Sequence, residues 1–325
     1  MLIFLTLTLA SFFIFTINTN SHGETIRNSY INLILVSFFA SVYFVLPYSF
    51  SSDQYEFYEI IGSEKFSNLP YKTFIIGLVS YVPINFYFFG IDEIRFLFFL
   101  LCASSIYFIG KKITKSSILP LFFFILPSVA IHSGLFLREP LIYAVLFIFI
   151  YYIFENKFIF SLIAWVFVFL LRPDSAILIF PVFLQFFKNK NLRFFLAFSG
   201  VIFTYLMLEY YEPLNFIFNS YRNQYDMSHN TLSNIDGLVG AIFNFFIGSR
   251  SANISTILLI TESFLLLTLY FKLDNKIVTT ALILIGIIIL GSISDNSGFI
   301  LRLRSVIVMI FLLMYFKERT NERAN

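Results

Sequence analysis

The chain reads as all-α: a polytopic helical membrane protein with about 11 transmembrane helices, or 12 on a second count. Three observations predict this. The 325 residues are 58% hydrophobic, 21% aromatic and only 13% charged, whereas a soluble domain carries about 25% charge. Apolar runs recur from end to end between short polar breaks, and each can cross about 30 Å of hydrocarbon as a helix. Lysine, finally, collects in every second connection from residue 94 onward.

The predicted spans are 2–17, 30–49, 94–110, 117–134, 140–154, 158–171, 174–187, 194–210, 254–271, 277–293 and 299–316. The first run starts at Met1 without a basic leader, so a retained anchor is expected rather than a cleaved signal. The stretch 71–90 is apolar but interrupted by Lys72, Pro83 and Asn85. It either spans, giving 12 helices, or lies in the interface, giving 11 with the acidic segment 50–70 facing out; the interruptions favour the second. The whole chain, 1–325, is expected to be one integral membrane domain, with 211–253 as an outer loop able to cap a cavity. Cys102 lies within an apolar run and is expected to be a small core residue, since one cysteine makes neither a disulfide nor a thiolate metal site.

Orientation follows from the short loops. Lys111, Lys112, Lys115, Lys157, Lys188, Lys190, Lys272, Lys276 and Lys317, with Arg193, Arg319 and Arg323, occupy alternate connections and the tail, which assigns these to the cytoplasm. The outward positions hold Arg138, Arg172, Arg222, Arg250, Arg302 and Arg304, and no lysine. Cations on the translocated side oppose the positive-inside bias. Arginine is also the residue that binds a phosphate or carboxylate through two parallel hydrogen bonds. The plainer alternative is that each arginine pairs with a carboxylate or reaches the headgroups.

Two outward turns look alike: Leu137-Arg138-Glu139-Pro140 and Leu171-Arg172-Pro173-Asp174. In each, proline opens the next helix, where its missing N–H costs nothing. A helix N-terminus carries free N–H groups and partial positive charge, so an arginine beside it suits a phosphate. Alternatively Glu139 and Asp174 simply complement the helix dipole. The last span adds Asn296, Arg302 and Arg304. Residues two apart on a helix point to different faces, so only one of the two arginines is expected at a shared cavity, and Arg302 lies nearer the outer end.

Segment 50–70 carries Asp53, Glu56, Glu59 and Glu64 among aromatics. Asp53 beside Tyr55 suits sugar hydroxyls, through acceptor oxygens and an apolar ring face; a solvated amphipathic helix is the alternative. The long loop gathers Arg222, Tyr225, Asp226 and His229 within a few residues. Histidine is the residue type suited to a general base near neutral pH, which makes His229, and His132 six residues before Arg138, candidates, with a solvated histidine as the plainer alternative. Glu262 lies mid-span in an otherwise apolar run, with Arg304 or Arg250 as its expected partner. Phosphate-binding glycine loops and zinc spacings are absent from the sequence, so no cofactor or metal is expected, and nucleic acid is not an expected partner.

The Asp53-x-Tyr55 segment, the Leu137-Arg138-Glu139 and Arg172-Pro173 turns, the polar outer loop and the terminal Asn296…Arg302-x-Arg304 resemble Wzy-type O-antigen and capsule polymerases. The resemblance spans most of the chain as an architecture, on short motifs. It implies a GT-C-like glycosyltransferase of the bacterial inner membrane, working at the periplasmic face on undecaprenyl-diphosphate-linked glycans. The partners it implies are those glycans, membrane lipids, a chain-length regulator and a flippase. Substrate-binding arginines would map onto Arg138, Arg172 and Arg222, with Arg302 beside them. Asp53, Glu139 or His229 would take the acceptor proton, and Tyr225, Asp226, Asn296, Arg304, His132 and Tyr55 would contact substrate. A GT-C enzyme using a polyprenyl monophosphate sugar, a polysaccharide flippase or transporter, and an O-antigen ligase remain as alternative readings.

Overall fold

The computed structural model describes residues 91–116, 119–126, 128–129, 132, 139–210, 235–248, 254–291 and 297–322. Every regular element among them is helical. The chain divides into two compact units, Met1–Ala144 and Val145–Asn325.

In the first unit, α1 covers Ile91–Thr114. Lys115 ends it in a left-handed conformation (φ 51°), while Thr114 Oγ1 donates back to the Gly110 carbonyl at 2.8 Å. A 3-10 turn, Leu119–Leu121, leads into the one-turn α2, Phe122–Ile125. The sequence suggested one unbroken span from 117; its described part is instead a 3-10 turn, a single α-turn and a bend at Leu126, with helical geometry again at residues 128, 129 and 132. Pro120 lies in that turn, where its missing N–H opposes a continuous α ladder. Helix α3, Glu139–Phe154, contains the boundary between the units.

The second unit continues with α4, Phe158–Leu171, and α5, Pro173–Ile179, which runs on as a 3-10 segment, Phe180–Phe186. It is completed by α6, Lys190–Tyr210; α7, Ile235–Phe246; α8, Ile254–Lys272; α9, Lys276–Gly286, extended by a π turn, Ile287–Gly291; and α10, Ser297–Glu322. Pro181 falls where α5 tightens to 3-10 geometry, as expected of a residue that removes an α-helical donor.

Helix α10 is the axis of this unit. Its side chains from Val306 to Phe311 are buried; α8 packs along it, and α5, α7 and α9 also touch it. The helices around it reverse the pattern of a water-soluble protein. On α4 the buried stripe is Ser161, Ala164, Val168 and Leu171, while Phe158, Ile159, Phe160, Ile163 and Phe167 are exposed. Small residues inward and large apolar residues outward let helix backbones approach while the outer surface stays hydrocarbon-like. Helices α6 and α8 also turn large apolar residues outward, with Phe194, Phe195 and Phe198 exposed on one and Ile257, Phe264 and Phe271 on the other, while α8 buries Leu259, Leu266 and Leu269.

Among the described residues, Ser255–Lys272 and Gly298–Glu322 are long and apolar enough to cross a membrane by length and composition; α3, α4, α5 with its 3-10 segment, α7, and α9 with its π turn are apolar but shorter. Predicted and observed limits agree closely for 158–171, 254–271 and 277–293. Within the outer loop expected over 211–253, residues 235–246 form helix α7.

The two ends of the second unit differ in charge. The Phe158 ring lies 5.3 Å from that of Phe186, which joins the connection holding Lys157 to the one holding Lys188 and Lys190. The Lys317 ammonium sits 5.9 Å from the Phe154 ring, and Glu318 Oε2 accepts from the Asp274 backbone N–H at 3.2 Å, between Lys272 and Lys276. All six of these lysines therefore share one end. Arg172 lies beyond the other end of α4, about 21 Å away by helix rise.

Candidate functional site at the arginine end

Arg172 is where α4 stops and α5 starts. Its backbone is extended (φ −162°, ψ 100°), its N–H closes α4 on the Val168 carbonyl, and Pro173 occupies the first turn of α5. Proline disfavours helical geometry in the residue before it, so the sequence Arg-Pro enforces the break between the two helices. The arginine turns inward and is 1% exposed. Its Nε donates to both carboxylate oxygens of Asp174 at 3.1 Å. Asp174 Oδ1 also accepts the Ser175 N–H at 2.8 Å. One carboxylate thus orients the guanidinium and meets the opening turn of the helix, where a negative charge is favoured. Across the turn, the Trp165 indole donates to the Ala176 carbonyl at 2.8 Å and pins α4 to α5.

The guanidinium of Arg172 lies 5.9 Å from the centre of the Phe299 ring in the first turn of α10. Residues three apart are neighbours on a helix surface, so Phe299 brings the Arg302 side of α10 to the Arg172 turn. Arg302 is half-buried there. The structure therefore sets the Arg172 turn, at the end opposite the lysines, against the opening turns of α10, which carry Arg302.

Arg304 goes elsewhere, as its two-residue offset from Arg302 requires. It is fully buried. Its Nη1 donates to the Phe245 carbonyl at 2.8 Å and to Ser263 Oγ at 2.5 Å, and its Nη2 donates to the Leu259 carbonyl. Ser263 in turn reaches the Phe246 carbonyl at 2.5 Å or that of Leu259 at 2.8 Å. Phe245 and Phe246 end α7, so a cation and a hydroxyl meet carbonyls that the helix leaves without intrahelical donors. Glu262 of α8, 1% exposed, interacts electrostatically with Arg304, which places this carboxylate beside one of its two expected partners. Sequence reasoning could not have found this arrangement, because most of its acceptors are backbone carbonyls.

Among the described residues, two sequence candidates belong to the first unit. His132 is buried, with Nδ1 2.7 Å from the Ser128 carbonyl one helical turn back. Glu139 is buried at the first position of α3, where the Arg-Glu-Pro turn was expected to open a helix. Asp53, Tyr55, Arg138, Arg222, Tyr225, Asp226, His229 and Asn296 lie outside the described residues, as do segment 50–70, stretch 71–90 and Arg250. Among the described residues, no group of three or more His, Cys, Asp or Glu is placed to hold a metal ion.

Chemically, this end offers one buried guanidinium engaged by Asp174 and one half-buried guanidinium, Arg302, in the opening turns of α10. Such a surface can hold an anion and stabilise charge that builds on it. Compared with protein-family models, curated proteins and solved structures, the chain matches none.

Proposed function

We propose that the protein is a polytopic inner-membrane glycosyltransferase of about 11 helices. In this reading it polymerises undecaprenyl-diphosphate-linked oligosaccharide repeat units at the periplasmic face, in O-antigen or capsule biosynthesis. The observation that carries the reading is the packing of Arg172 on Phe299 in the opening turn of α10, the helix that carries Arg302, at the end of the second unit that holds no lysine. The positive-inside bias makes the lysine end cytoplasmic and the arginine end periplasmic. The outward aromatic faces of α4, α6 and α8 supply hydrocarbon-compatible walls. The short turns named above also resemble Wzy-type polymerases.

In the reaction, a hydroxyl of the incoming lipid-linked unit attacks the anomeric carbon of the growing glycan. The new glycosidic C–O bond forms as the bond to the diphosphate oxygen breaks, and the electron pair leaves with the diphosphate. Arg172 and Arg302 stabilise that leaving charge, which needs no proton transfer from the protein. The hydroxyl proton passes to a base, for which Asp53, Glu139 and His229 are the candidates. Arg138, in the twin of the Arg172 turn, is a further candidate for the diphosphate, and Arg222 and Tyr225 for the glycan.

The direct test is an electrophoretic profile of lipopolysaccharide or capsule from cells lacking the gene. A core bearing a single repeat unit, with the ladder restored by the intact gene, is the expected result. An unchanged ladder rejects the polymerase. A repeat unit missing one sugar replaces it with a transferase that uses a polyprenyl monophosphate donor.

A further inference from the structure

Helix α7 turns large apolar residues away from the protein and, apart from the aromatic Phe245, buries small or polar ones. Leu238, Val239, Ile242 and Phe243 are exposed. Ala241, Asn244 and Phe245 are buried. The inward face is seated at backbone distance: a Cβ added to Gly291, at the end of the π turn, would lie 2.0 Å from the Ala241 carbonyl oxygen, and Asn244 Nδ2 donates to the Gly291 carbonyl at 3.2 Å. Small residues at a close crossing, with large apolar residues turned outward, are the packing pattern of helices in lipid. In a water-soluble protein an amphipathic helix has the opposite polarity.

The depth of the helix follows from what it touches. Its last turn is held by Arg304, seven positions into α10 and so about 10 Å along that helix from Ser297. The same turn meets Leu259 and Ser263 in the first half of α8 through the Arg304 and Ser263 hydrogen bonds. Helices α8 and α10 supply the two long apolar spans. At 12 residues, α7 is about 18 Å long and too short to cross about 30 Å of hydrocarbon.

The geometry points to α7 as a membrane-embedded helix that does not span: it lies in the leaflet at the arginine end, and its Leu238, Val239, Ile242 and Phe243 face contacts lipid acyl chains. The occupant is hydrocarbon because α7 packs against α8, which leaves Ile257 and Phe264 exposed and is one of the two helices among the described residues long and apolar enough to cross a membrane. Backbone at that depth must be satisfied by protein, and Arg304 and Ser263 provide donors for the final carbonyls of α7. The inference rests on the membrane reading of the proposed function but not on the reaction assigned to it.

The test uses the full chain in liposomes whose phospholipids carry bromine at defined acyl carbons, in a Trp165→Phe background that leaves no other tryptophan. Phe243→Trp reports on α7 and Phe264→Trp on α8. The expected result is that acyl bromine removes as large a fraction of emission from Phe243→Trp as from Phe264→Trp, while aqueous iodide removes little from either. Quenching of Phe243→Trp by iodide, with Phe264→Trp quenched by lipid, overturns the embedded α7 and leaves the membrane reading standing. Failure of lipid to quench either reporter overturns both. Where the tryptophan variants express poorly, a nitroxide on Ile242→Cys gives the same decision: greater access to oxygen than to a water-soluble nickel chelate supports the inference, and the reverse overturns it.

Discussion

Arg304 on α10 donates from Nη1 to the carbonyl oxygen of Phe245 at 2.8 Å, so a buried cation in one helix closes the end of another. The same guanidinium holds Leu259 and Ser263 of α8. Three helices depend on one side chain whose charge Glu262 offsets.

Replacing Arg304 with alanine is expected to lower stability by about 3–5 kcal/mol, because the carbonyls stay buried and Glu262 loses its cation. Arg304→Lys keeps the charge but not the fork, and is expected to fall between alanine and the native residue. Thermal melting in detergent, followed by the emission of Trp165, measures both. Wild-type melting of Arg304→Ala would mean that the carbonyls find other donors and that the clamp is dispensable.

The approach of α7 to the π turn gives a second expectation, on two glycines. An alanine Cβ at Gly291 meets the Ala241 backbone oxygen at 2.0 Å, and backbone cannot swing aside as a side chain can. Gly291→Ala is expected to cost about 1–3 kcal/mol, as overpacking does. At Gly200 in α6 nothing lies within 4 Å of an added Cβ; Gly200→Ala is expected to be neutral or to gain up to about 1 kcal/mol from helix propensity. Paired melting curves check the contrast, and equal shifts for the two would contradict the close crossing.

Much of this fold is legible in the sequence. The span 158–171 is bounded by Lys157 and by Arg172-Pro173, each of which marks a helix limit for a chemical reason, and the structure puts α4 there. Helix α7 was not read. Its apolar run is only 12 residues long and follows the polar stretch that begins at Tyr221, so by composition it merged with the loop. The π turn at 287–291 was also invisible, since it arises from packing against Ala241 and carries no residue signal of its own. At the site, the Arg-Pro turn was readable from spacing. The assignment of Arg302 to the Arg172 face and of Arg304 to the helix clamp matches the two-residue offset, but the partners of Arg304 required coordinates.

Sidedness gives a third prediction. With Cys102, which is fully buried, replaced by alanine, single cysteines at Lys157, Asn189 and Asp274 are expected to behave as one set. In intact spheroplasts an impermeant maleimide should leave all three unlabelled, and permeabilisation should expose all three. The Phe158–Phe186 and Glu318–Asp274 contacts bring these connections to one end, so a split result would contradict the structure. Uniform labelling of intact cells would invert the orientation and put the arginine end in the cytoplasm.

The last prediction concerns the Arg172–Asp174 pair, in which a single Nε reaches both carboxylate oxygens at 3.1 Å. A lysine cannot reproduce that planar donor while also presenting further N–H groups to a phosphate. Arg172→Lys is therefore expected to lose activity nearly as fully as Arg172→Ala, by tenfold or more if about 1.4 kcal/mol of leaving-group stabilisation is removed. Asp174→Asn keeps an acceptor oxygen for the guanidinium and for the Ser175 N–H, so it should retain more activity than either arginine variant. Arg302→Ala is expected to shorten the glycan ladder in the same way while melting close to wild type, since Arg302 is only half-buried. Ladder length in complemented deletion cells, read beside the amount of protein in the membrane, separates loss of chemistry from loss of fold. A full-length ladder from Arg138→Ala/Arg172→Ala would remove the arginine pair from the mechanism, and a full-length ladder from Arg172→Lys would show that charge alone suffices.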